Sequence, residues 1–206
     1  MISGFRAVIC ILGVVLILLI IDVAYNKHTE LTTLRKQVAL SKIDSLQFIQ
    51  KTLGVAYGLS ESEQIMYAKL FKNYAGNEWP LVAAVIQIES KYNPTLSSSS
   101  KARGLMQLLE GTMQEQCTKL NISYKENVTI WNEAINIRCG IAYLFESKNG
   151  GLELNTTEIM VKRYIGGITY IRAEKGGERE KVINDYYNAV MREYVKLQFI
   201  YKGVLK

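Results

Sequence analysis

Residues Ile88 to Thr112 read IESKYNPTLSSSSKARGLMQLLEGT, and the interpretation of the chain works outward from them. Upstream, Pro80 stands where a helix can begin, because the missing N–H of proline costs nothing in a first turn. The run Leu81 to Ser90 (LVAAVIQIES) continues that helix, and Pro94 bars its extension. Val82, Val85, Ile86 and Glu89 share one face at three- and four-residue spacing. Glu89 is therefore predicted to project from the last turn of a helix whose same face is apolar. Desolvation there disfavours the carboxylate and raises its pKa, as a general acid at neutral pH requires. A solvated glutamate at a helix end is the plain alternative.

The 206 residues carry a formal net charge of +6 and are 49% hydrophobic, which argues against global disorder. Two prolines and few runs of alternating polarity favour a mostly helical protein. The basic balance suits a polyanionic partner, although a modestly basic surface with no dedicated role fits equally well. Lys and Arg are dispersed, so nucleic acid is not expected as a partner. The single histidine, His28, lies just past an apolar block. It leaves the rest of the chain without a Ser-His-Asp triad, a Cys-His pair or a His-rich metal site. Chemistry must then run on carboxylates, hydroxyls, backbone groups or Lys/Arg, and neither metal nor cofactor is expected. Of the three cysteines, Cys10 falls inside the apolar block. Cys117 and Cys139 either pair in an oxidising compartment or stay as buried thiols.

Ala7 to Ile21 (AVICILGVVLILLII) carries no charge, and Val23 to Tyr25 extend it past Asp22. A bilayer-spanning helix needs about 20 mostly apolar residues. Residues 1–25 are accordingly expected to be a transmembrane anchor. A cleaved signal peptide is the rival, with Arg6 as its basic start but no small-x-small cleavage site after the block. Lys27, Arg35 and Lys36 after the block, against Arg6 and the amino terminus before it, do not by themselves place the following chain outside the cytoplasm. Leu31, Leu34, Val38, Leu46, Ile49 and Leu53 then follow helical spacing, which makes 26–57 an amphipathic helical stalk. Gly54 and Gly58 mark its boundary with a folded domain over 58–206.

The pairs Glu89-Ser90 and Asn93-Pro94, then Ser98, then Gly104-Leu105-Met106-Gln107 stand in a fixed register. Together they resemble the signature of soluble-type lytic transglycosylases, the SLT domain of the lysozyme-like superfamily. Asn136-Ile137, Gly140 and Tyr143-Leu144 resemble that family's second block, and Arg163-Tyr164-Ile165-Gly166-Gly167 its third. Tyr186 to Met191 (YYNAVM) is similar, more weakly, to its closing helix. The resemblance runs over roughly residues 59 to 195. It implies an all-α, lysozyme-like domain of about seven helices around a cleft, behind the membrane helix and stalk.

The resemblance also implies roles. Glu89 would be the only catalytic acid, protonating the glycosidic oxygen between N-acetylmuramic acid and N-acetylglucosamine. It would then act as base toward the sugar's own 6-hydroxyl, giving a 1,6-anhydro product. Ser98, Gly104, Met106, Gln107 and Tyr164 match substrate-binding positions, with Tyr164 placed to hold the carboxyl or the leaving group. Plainer roles compete at four of them: a turn serine at Ser98, close approach to an adjacent helix at Gly104, core filling at Met106 and packing at Tyr164. The chain departs from the pattern at Ile165 (usually asparagine), at Asn132-Glu133 (often Asp-Pro) and at Glu110 (usually proline). Glu110 is expected to be a first-turn helix residue and not a second acid. The implied partner is peptidoglycan, with the domain on the periplasmic or cell-wall side of the inner membrane, or in the membrane of a phage virion. Components of a secretion system, pilus or phage particle are further candidate partners. A hydrolytic muramidase of the same fold and a wall-binding assembly factor are the competing functions.

Overall fold

The computed structural model describes residues 21–33, 45–149, 156–167 and 177–204. The chain divides into two units, Met1–Gln47 and Phe48–Lys206. In the first, residues 21–33 form a helix, α1, that is exposed along its length. The expected anchor over 1–25 lies outside the described residues apart from 21–25, and so does 34–44 of the expected stalk. No helix among the described residues is long and apolar enough to cross a membrane.

A helix over 45–57, α2, leads into the second unit, where Ile49, Thr52 and Leu53 are buried. Then follow α3 (Glu61–Tyr74), α4 (Trp79–Ser90), α5 (Glu110–Lys119), α6 (Glu133–Asn149), α7 (Thr157–Gly166) and α8 (Glu178–Val204). Among the described residues there is no β-strand, as the sequence leads one to expect. Two isolated antiparallel bridges, Ser97 to Arg103 and Arg103 to Leu108, pin the loop between α4 and α5.

Each helix start has a local cause. Ser60 and Glu63 form a reciprocal capping box at α3, each side chain accepting from the other's backbone N–H. Pro80 sits in the first turn of α4, and Thr156 caps α7 by accepting from Ile159 N. Asn132 does the same for the first turn of α6, its Oδ1 accepting from Ile135 N at 3.0 Å.

The run Leu81 to Ile86 is fully buried on every side of α4, which makes α4 the central helix. Helices α3 and α8 pack on it, α8 also packs on α7, and α6 packs on α3, α5 and α7. The end of α4 is enforced by two consecutive left-handed residues, Lys91 at φ 49° and Tyr92 at φ 61°. The Lys91 N–H closes on Gln87 O, and the buried Tyr92 ring turns back so that its hydroxyl donates to Ala83 O. Such a left-handed exit satisfies the last carbonyls of a helix and reverses the chain. The loop that follows lines the same cleft as Glu89.

Candidate active site

Glu89 lies one residue before the end of α4 and is half-buried. Burial pushes its carboxyl up to about 7, while a hydrogen bond from the Tyr186 hydroxyl to Oε1, 2.6 Å long, pulls in the opposite direction. Such a bond favours the ionised form, so desolvation is the larger influence. Tyr186 comes from α8, and its own phenol is held well above the usual range by burial and by Glu89, so it stays a donor.

Glu89 opens onto a cleft of about 510 Å³ whose walls include Ser98, Ser100, Gln107, Tyr143 and Tyr164. Of the carboxylates among the described residues, Glu89 alone lines it. Glu110 is drawn elsewhere: Arg103 Nη1 donates to its Oε2 at 2.7 Å, and the Tyr124 hydroxyl and Asn127 N–H donate to its Oε1. It occupies the first turn of α5, where a negative charge meets the positive end of the helix.

The loop Ser97–Leu108 supplies one wall of the cleft. Ser98 is exposed at the cleft edge, and its side-chain oxygen accepts from Ala102 N at 3.0 Å, so it both turns the loop and faces the cleft. Gln107 adopts φ 44°, and its Nε2 donates to Leu96 O and Gly104 O, which braces the loop from inside. Gly104 and Met106 do not line the cleft. The Met106 side chain turns fully into the core against Gly140, where an added Cβ would lie 2.3 Å from its sulfur. Gly104, at φ 78°, passes so close to α6 that a Cβ would lie 2.5 Å from Asn136 Nδ2.

Asn136 explains that approach. It is buried, its Oδ1 accepts from Met106 N at 2.8 Å, and its Nδ2 donates to Arg103 O and Ile130 O. One side chain thus holds the cleft loop to α6. Tyr164 completes the clamp from α7, its hydroxyl donating to Met106 O at 2.6 Å. That hydroxyl goes to the loop, and the hydroxyl on Glu89 is that of Tyr186. Among 13 tyrosines, only the faint likeness of Tyr186 to Met191 to a closing helix pointed that way. Leu109 and Ile165 add exposed apolar surface at the rim, at 50% and 42% exposure.

The arrangement offers one carboxyl that is easily protonated near neutrality, a phenol to orient it, and a polar wall of hydroxyls and one amide. It fits proton delivery to a bound oxygen by a single group that can later accept a proton back.

Residues 66–186 match the family model described as the transglycosylase SLT domain. The chain is 26% identical over 165 residues to membrane-bound lytic murein transglycosylase F of Pasteurella multocida, covering 62% of this chain and 34% of that protein. It is 30% identical over 133 residues to endo-type membrane-bound lytic murein transglycosylase A of Enterobacter sp., covering 59% of this chain and 65% of that protein. It thus spans between about a third and two thirds of the length of these curated relatives. In fold it is similar to an inactive mutant of lytic transglycosylase Slt from Pseudomonas aeruginosa, with a TM-score of 0.56 at 20% identity over 70% of this chain and 25% of that one.

Proposed function

The chain belongs to the transglycosylase SLT family, and on that footing we propose that it is a peptidoglycan lytic transglycosylase with Glu89 as its catalytic acid and base. The neutral carboxylic acid protonates the glycosidic oxygen that leaves with N-acetylglucosamine. The resulting carboxylate takes the proton from the 6-hydroxyl of the muramic acid, whose oxygen closes on the anomeric carbon. A 1,6-anhydro sugar forms, the proton ends on Glu89, and no water is consumed. Ser98, Gln107 and Tyr143 bind the strand from the walls, while Gly104, Met106 and Tyr164 act on the sugar through the loop they shape.

The observation that carries this reading is the half-buried Glu89, the one carboxyl that lines the cleft among the described residues, poised near 7. Glycosidases that use water or a covalent intermediate need a second carboxyl, about 5 to 9.5 Å from the first. The names of the relatives, lytic murein transglycosylases, support the same chemistry. Incubating the purified chain with peptidoglycan and weighing the soluble products tests it. Anhydro-ended muropeptides, absent with Glu89→Gln, support the reading, whereas products heavier by one water make the protein a muramidase.

Ile165 favours a second reading, since an exposed apolar residue stands at the cleft rim where the family usually has asparagine. A wall-binding factor of a secretion system, pilus or phage would bind glycan with or without Glu89 and release nothing. For location, the apolar run Ala7 to Ile21 and the words membrane-bound in the relatives' names support a single-pass anchor over 1–25 and a stalk beyond it. A peptidoglycan substrate supports a position on the wall side of the membrane. Protease protection of the domain in intact cells, lost on opening the outer layers, checks that side.

A further inference from the structure

Cys117 on α5 and Cys139 on α6 are fully buried, and their sulfurs lie 3.7 Å apart. Both are thiols in this structure. The two helices pack on each other, so the sulfurs face one another across a fixed interface and not across a loose loop. Burial, with Cys117 beside it, pushes the Cys139 thiol up to about 12. A buried thiol of that kind is inert toward outside reagents once the chain is folded, and it reacts only while folding or local opening exposes it.

We propose that Cys117 and Cys139 form a disulfide that joins α5 to α6 when the domain folds in an oxidising compartment. That this compartment is the chain's own rests on the wall-side placement proposed above. The oxidant is a protein disulfide of the thiol-oxidase class, or oxidised glutathione in the test tube. One cysteine, as thiolate, attacks a sulfur of that disulfide, forming a mixed disulfide and releasing one oxidant thiol. The other cysteine loses its proton and attacks the first, the protein S–S bond forms, and the second oxidant thiol departs. Two protein thiols are oxidised and one oxidant disulfide is reduced to two thiols.

The bridge spans 22 residues of chain. That segment contains Asn136, which holds the cleft loop at Met106 N, and Asn127, which accepts from Arg103 Nη1. Closing it restricts the unfolded chain and so favours the state in which this clamp exists. Two thiols that merely fill space in the core would form no such bridge.

The test uses the full chain, purified in detergent under reductant and then held with oxidised glutathione in urea too dilute to abolish its helical circular dichroism. Local opening exposes the thiols without global unfolding. A digest made without reduction should contain the Cys117 and Cys139 peptides joined, and the oxidised chain should melt several degrees above the reduced one. A Cys117→Ala/Cys139→Ala variant should melt at the same temperature with and without reductant. Separately alkylated peptides from a chain that has kept its helical signal would overturn the proposal. The same digest on chain acid-quenched directly from cells then addresses placement alone. A bridge found there supports the wall side, and free thiols in the cell beside a bridge in the tube sink that placement while the pairing stands.

Discussion

Glu89 on α4 and Tyr186 on α8, 97 residues apart in the chain, are joined by a 2.6 Å hydrogen bond in which the phenol donates to Oε1. The bond does two things at once. It fixes the carboxyl's orientation, and it favours the ionised form that burial disfavours. Replacing Tyr186 with Phe removes both effects while keeping the ring. The turnover number should fall about tenfold, as expected for one oriented hydrogen bond worth about 1.4 kcal/mol. The alkaline limb of the rate profile should move to higher pH, because Glu89 then holds its proton longer. A downward move, or no change in either quantity, contradicts the role given to the phenol.

If Glu89 is the proposed acid, wild-type kcat/KM should decline as pH rises through about 7, where its acid form is lost. Glu89→Gln should cost at least about a hundredfold in rate on the acid side of that limb, within the range found for general acids, and the gap should narrow as wild type loses its proton. Initial rates on short glycan strands across pH 5 to about 9 are the measurement.

Stability should respond to the same group with a definite sign. The folded-state pKa is raised, so the native chain binds more protons than the unfolded chain between 4.5 and about 7. Stability from this group is then full below 4.5 and is lost as pH rises to about 7. Glu89→Gln escapes that loss, and at pH 8 it should be the more stable protein, by up to about 3 kcal/mol. Urea unfolding of both proteins at pH 4.5 and pH 8 checks this, and a constant difference between them would refute it.

Asn136 and Gly104 should behave as one unit. Asn136→Ala strips three hydrogen bonds from buried backbone groups and should destabilise the domain by about 2 to 4 kcal/mol. Gly104→Ala puts a methyl group where Asn136 Nδ2 lies and strains a φ of 78°. The double variant should lose less than the sum, because removing the amide also removes the collision. Strict additivity in denaturant titrations would mean that the loop is held by something else.

Glu110→Gln separates the two carboxylates. Its partners Arg103, Tyr124 and Asn127 mark it as a brace between the cleft loop and α5. Cleavage should persist within a few-fold of wild type while stability drops by about 1 kcal/mol. A loss near that of Glu89→Gln would make Glu110 a second acid and reopen the hydrolytic mechanism.

α4 and its end are legible in the sequence because both are local matters. Pro80, the apolar run and Pro94 bracket a helix, and three- and four-residue spacing puts Glu89 on its buried face. Side-chain direction in the loop was out of reach. Gln107 takes a left-handed φ that non-glycine residues rarely adopt, and this turns Met106 inward while its own amide braces the wall. Nothing in the spacing of GLMQ encodes that twist. The partner of Glu89 was hidden for another reason. Tyr164 and Tyr186 both bear on the site, and only the packing of α8 against α4 and α7 decides which phenol reaches the carboxyl.

The long reach from Glu89 to Tyr186 also bears on how the protein is made. A ribosome or translocon delivers the acid roughly a hundred residues before the phenol that aligns it. Until α8 has emerged and docked, Glu89 lacks the phenol that orients it, although every described residue lining the cleft has already been made. A chain cut short before Tyr186 would lack the hydrogen bond that orients Glu89.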